Sequence, residues 1–184
     1  MRYIDAMRGS RIAPAGRLRR LLVRVRRHGL RLLVLGIGNE MLGDDAIGHL
    51  LARDLASIAS DGFLSVSVGV AIENAAHLVR RHRADVLVLI DAADGIGGSA
   101  WGFVRPSRLD SFCHSTHSVP LSLLVTTWQD EHPDLDVHFI GVRPVSNEFG
   151  APLSDGVAAA RTEIVAIFRE SLAGSERPAE EQRG

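Results

Sequence analysis

At 184 residues, with 46% hydrophobic and 23% charged positions, the chain is long enough to bury one α/β core without disulfide staples. The single cysteine, Cys113, excludes an internal disulfide, and no apolar run nears the roughly 18 residues of a membrane span. The net charge of −1 hides an asymmetry: residues 1–31 hold ten arginines against one acid, Asp5, and the rest of the chain is net acidic.

The arginine-rich arm comes first. Its arginines interrupt every apolar run and no small-residue cleavage site follows, so it is not a secretory signal. A short basic amphipathic helix from Leu18 to Arg27 is predicted within it. Residues 1–29 are otherwise expected to be a flexible, solvated extension. Because lysine is absent throughout, the arginines reflect a GC-rich coding sequence, and the arm is not read as a nucleic-acid site. The lone cysteine and the lack of a span favour a reducing, cytoplasmic setting.

From Leu30 the pattern alternates short β-type runs with helical periods. Strands are predicted at 32–36, 64–70, 86–90, 101–104 and 137–142, and helices at 45–57, 74–82, 120–129 and 154–173. Such alternation implies a three-layer α/β/α fold with a mostly parallel, twisted, five-stranded sheet. "LLVL" and "VLVLI" are apolar without alternation, as strands buried on both faces require. The domain is expected over 30–174, with a polar tail over 175–184.

The stretch "LRLLVLGIGNEMLGDDAIGHLL" sets a glycine turn after the first strand, the position of many phosphate sites. Here, however, a third glycine of G-x-G-x-x-G would fall on Met41, and Glu40, Asp44 and Asp45 would face the phosphate. Like charges in a confined site oppose a nucleotide. In a doubly wound sheet, ligands bind beyond the carboxyl ends of the strands where the strand order reverses, which brings the Asp44–Asp45 loop to Asp91 after "VLVLI". Carboxylates converging there call for a cation. One acid in the first turn of a helix needs no special role, so Asp44 is assigned to capping and Asp45 to the functional position. An imidazole would complete such a site. His114 and His117, in the loop before Pro120, are both candidates by position; the other histidines lie in the arm, in helices among surface charges, or in the polar "QDEHPD" loop. Cys113 beside His114 lacks an acidic orienter, and no G-x-S-x-G elbow is present, so a serine or cysteine hydrolase is not supported.

"LVLGIGNEMLGDDAIG", "VLVLIDAADG", "STHSVPLSLL" and "HFIGVRPVSNEFGAPLSDGV", in that order from about Leu30 to Phe168, resemble the NiFe-hydrogenase maturation proteases. The branch processing formate-hydrogenlyase-type large subunits is the most similar. The resemblance implies an endopeptidase that removes the C-terminal extension of the hydrogenase large-subunit precursor after nickel insertion. It further implies that Asp45, Asp91 and His117 contact the metal, which selects His117 over His114, and that nickel arrives in the substrate and is not owned by the protease. The implied partner is the precursor, with no nucleic acid and no membrane span, and the protein is expected to be a monomer. A non-catalytic nickel-binding assembly chaperone of the same fold is the alternative. Glu40, at a variable position of the glycine turn, is a further acid near the expected cleft, and the arm has no counterpart in the family.

Overall fold

The computed structural model describes residues 13–94, 96, 98–105 and 120–173. Five strands, β1 (Leu32–Ile37), β2 (Phe63–Gly69), β3 (Val86–Ala92), β4 (Trp101–Val104) and β5 (Asp136–Val142), form one sheet in the order β2-β1-β3-β5-β4. All pairings are parallel except that of β4 with β5. The runs "LLVLGI" and "VLVLIDA" lie in the middle of this order and are buried at every position. Their lack of alternation is what two covered faces demand.

Among the described residues, five α-helices cover those faces: α1 (Pro14–His28), α2 (Ile47–Ala56), α3 (Ala76–His82), α4 (Leu121–Glu131) and α5 (Asp155–Leu172). Side chains from α1, α2 and α5 share one core cluster with the sheet, built on Leu22, Leu51, Val88 and Phe168. Those from α3 and α4 share the cluster on the opposite face, with Leu35, Val79, Leu89 and Trp128. The three-layer α/β/α reading therefore holds, and each observed strand boundary lies within two residues of its expected one.

The arm departs from expectation. Residues 14–28 are a docked helix and not a flexible extension, because Leu18, Leu21, Leu22 and Val25 recur at the spacing that lines one helical face. That strip packs on α5 while the arginines reach around its edges. Arg24 pairs with Asp136, Arg19 with Glu170, and the Arg17 guanidinium lies 4.1 Å from the centre of the Phe103 ring. Gly29, with φ of 60°, closes the helix by donating its N–H to the carbonyls of its last turn. Residues 1–12 and 174–184 lie outside the described residues. Among those described, no helix is long and apolar enough to cross a membrane.

The order β2-β1-β3 sends the chain to opposite sides of β1, so the loops after β1 and β3 diverge and leave a crevice at the carboxyl edge. Two glycines bring α2 down onto the sheet beside it. A Cβ on Gly48 would meet the carbonyls of Ile37 and Ile90 at 2.1 and 2.3 Å, and one on Gly36 would meet that of Gly48 at 2.0 Å. Only glycine permits that approach.

Candidate metal-recognition site

Asp44 and Asp45 share a single 3-10 turn, Gly43–Ala46, which precedes α2, yet they do different things. The Asp44 carboxylate is fully buried and points away from its own helix. Its Oδ1 accepts the Ser154 backbone N–H at 2.7 Å, and its Oδ2 accepts the N–H groups of Val145 and Ser146 at 2.8 and 3.0 Å and the Ser154 hydroxyl at 2.9 Å. Burial alone would raise its pKa, but these donors outweigh burial and leave it below the usual carboxylate range. The capping role expected for Asp44 is thus corrected. It clamps the loop between β5 and α5 and serves the start of α5, more than a hundred residues away.

Asp45 turns the other way. It is half-buried, and its Oδ2 accepts the backbone N–H of Asn39 at 2.8 Å. That bond fixes the carboxylate against the glycine turn and leaves Oδ1 for a ligand. Gly38, at φ of 135°, makes the approach possible: a Cβ there would lie 1.9 Å from the Asp45 carbonyl oxygen and 3.8 Å from Asp91 Oδ1. The turn therefore brings the two acids to one point.

Asp91 ends the apolar run of β3 and is 1% exposed. One oxygen, Oδ1, accepts the N–H of the next residue, Ala92, at 2.8 Å. The other, Oδ2, is buried with no hydrogen-bond partner among the described residues. Burial first, and the Asp45 carboxylate second, push the Asp91 pKa well above the usual carboxylate range, against the weaker opposing pull of the Ala92 N–H. An orphaned buried carboxylate oxygen beside a second carboxylate is an arrangement that folding alone would not favour, and it fits a hard or borderline cation.

His117, like His114 and Cys113, lies in residues 106–119, outside the described residues. Leu121, in the first turn of α4, joins the core cluster that holds Ile37 and Ala93, the carboxyl-edge neighbours of the acid pair. Among the described residues, no three histidine, cysteine, aspartate or glutamate side chains gather as a metal site. Glu40 does not extend the pair. Its side chain is 60% exposed, with Oε2 3.2 Å from His49 Nε2, while His49 Nδ1 meets the Ser67 hydroxyl at 2.7 Å. His82, expected among surface charges, is instead buried with its Nε2 3.1 Å from the Leu32 carbonyl, and burial lowers its pKa.

No family model matches the sequence. The hydrogenase 3 maturation protease of Escherichia coli strain K12 is 28% identical over 127 residues, covering 68% of this chain and 80% of the relative. Solved structures that share the fold include two named HycI. HycI, a NiFe hydrogenase maturation protease from Thermococcus kodakarensis, superposes with a TM-score of 0.71 at 24% identity over 84% of this chain and 99% of its own. The endopeptidase HycI from Escherichia coli does so with a TM-score of 0.64 at 26% identity over 74% of this chain and 88% of its own. These are the proteins the four motifs resemble: the chain shares the α/β/α fold of solved hydrogenase maturation proteases and is similar in sequence to a hydrogenase 3 maturation protease.

Proposed function

We propose that the protein is the endopeptidase that removes the C-terminal extension of a NiFe-hydrogenase large-subunit precursor after nickel insertion, reading the inserted nickel with Asp45 and Asp91. The observation that carries this reading is the Asp91 Oδ2 atom, buried and without a partner beside the Asp45 carboxylate. The activity is that of the named relatives, which are hydrogenase maturation proteases and endopeptidases. His117 is proposed as the third ligand on the resemblance of "STHSVP" to the family's motif.

The electrostatics favour a metal that arrives with the substrate. In the free protein ionising Asp91 is unfavourable, because it is buried and lies beside the Asp45 carboxylate. A docking cation reverses that preference, and Asp91 ionises as it becomes a ligand. Asp45, with one oxygen pinned by Asn39, keeps its other oxygen, free among the described residues, for the same cation. A precursor without nickel then presents nothing for the pair to hold.

The test is to incubate the protein with matched nickel-loaded and nickel-free precursors and weigh the products. Only the loaded form should lose a C-terminal peptide. Equal cutting of both forms would show that peptide and not metal is read. An unchanged mass with retained nickel binding would support the assembly chaperone instead.

A further inference from the structure

Five large apolar side chains are exposed among the described residues: Met41, Val70, Leu123, Val145 and Phe149. All five sit at one end of the molecule. Met41 follows β1, Val70 follows β2, Val145 and Phe149 follow β5, and Leu123 lies in the first turn of α4, the helix that runs back from the carboxyl edge to the start of β5. Among the described residues the amino edge of the sheet carries none. Isolated exposed apolar residues are ordinary, but their segregation to the end that holds the acid pair marks a surface built to be covered.

The surface is also held in place. Gly150 donates its N–H to the Met41 carbonyl at 2.9 Å, and Leu42 bridges to Phe149, so the loops after β1 and β5 are stitched together. Asp44 holds the Val145 N–H, and the next residue is Asp45. Val145 and Phe149, at 76% and 71% exposure, are therefore presented in fixed register with the acid pair although no described residue buries them.

We propose that these residues form a docking ring for an apolar polypeptide segment that presents a metal cation to Asp45 and Asp91 at its centre. Charge complementarity selects the occupant. Two facing carboxylates reject a phosphate backbone, and a hydrated metal ion alone would leave the ring uncovered. Adaptable or bulky apolar anchors such as Met41 and Phe149 around a polar centre are the features of protein interfaces. Identifying the occupant as the hydrogenase large-subunit precursor rests on the proteolysis reading above, whereas the ring itself rests on the placement of the side chains.

The experiment compares the full-length protein with its Val145→Ser/Phe149→Ser and Met41→Ser variants, measuring the Kd for nickel-loaded precursor by calorimetry and product mass in parallel. Arg27→Gln, on the outer side of α1, is the control. The double variant should bind the precursor roughly tenfold or more weakly, with its thermal midpoint unchanged because the substituted side chains are exposed, and the control should bind as wild type. A double-variant Kd within twofold of wild type overturns the ring, and if cleavage persists the proteolysis reading survives without it. Ring-dependent binding with no change in precursor mass keeps the ring and removes the proteolysis reading. If the wild type neither binds nor cuts the precursor, or if the ring variants only dissolve a dimer of this chain, the proposal fails.

Discussion

The two edges of the sheet treat their carboxylates in opposite ways. At the amino edge Asp136 meets Arg24 and lies 3.1 Å from His138 Nε2, and Asp85 accepts the Arg31 backbone N–H at 2.7 Å. At the carboxyl edge Asp91 has a single backbone donor and an orphaned oxygen, and its near neighbour is another carboxylate. Exposed apolar side chains divide in the same sense. At the amino edge the carboxylates meet opposite charges or backbone donors, whereas Asp91 meets a like charge, an arrangement that a cation would relieve.

The sharpest way to break this comparison is at the acids themselves. Asp45→Asn and Asp91→Asn should each lower cleavage of nickel-loaded precursor by roughly 100-fold or more, since each removes a charged ligand. Asp91→Asn should nonetheless keep or raise the thermal midpoint. The folded-state pKa of Asp91 is raised, so its ionised form at neutral pH costs stability that an amide does not. Asp44→Asn is the opposite case. It puts an amide among four donors and should cost roughly 3 kcal/mol in urea unfolding. If Asp91→Asn unfolds as readily as Asp44→Asn, or cuts at the wild-type rate, the division between the edges is wrong.

A second test concerns α1, whose basic face suggests a dispensable arm. Leu18, Leu21, Leu22 and Val25 are buried, and at about 1.5–3 kcal/mol for each such side chain their loss rivals the 5–15 kcal/mol that holds a typical domain together. Removing residues 1–29 should therefore leave a chain that does not fold cooperatively. Leu22→Ala in the full chain should cost about 2–5 kcal/mol. A truncated protein with a wild-type melting curve would show that the strip contributes nothing.

Most of the fold was legible because its central strands are apolar at every position and its helices carry clear periods. Asp91 was legible too, as an acid placed at the end of such a strand. The α1 spacing was equally present in the sequence, but its six arginines masked it: their long stems allow a charged helix to bury one face, which a charge count does not register. The separate roles of Asp44 and Asp45 were only half legible. Neighbouring acids at a helix start look alike in a string, and the donors that claim Asp44 come from residues 145–154, brought near only by the fold. The docking ring left no local pattern at all, since its members lie in separate loops and the sheet alone gathers them.

The smallest expected effect sharpens the amino edge. Burial raises the Asp136 pKa, but His138 and Arg24 outweigh it and hold the carboxyl at about 2, against an ordinary value of 3.8. A depressed folded-state pKa contributes stability that is present above the unfolded value and is lost as pH falls through the folded one. His138 Nε2 lies 3.1 Å from Asp136 without an aligned hydrogen bond, and the carboxylate is partly solvated. The contribution is accordingly on the order of 1 kcal/mol, below what the full shift would imply. Urea unfolding of wild type and Asp136→Asn should give curves separated by that amount from pH 7 down to about 5, with the gap closing as pH falls from about 4 toward 2. Arg24→Gln should show a smaller gap with the same pH dependence, because it removes one of the two partners that lower the Asp136 pKa and also frees that side of α1. A gap that does not narrow in acid would mean that Asp136 holds α1 through packing and not through its charge, and the contrast between the two edges would then rest on the acid pair alone.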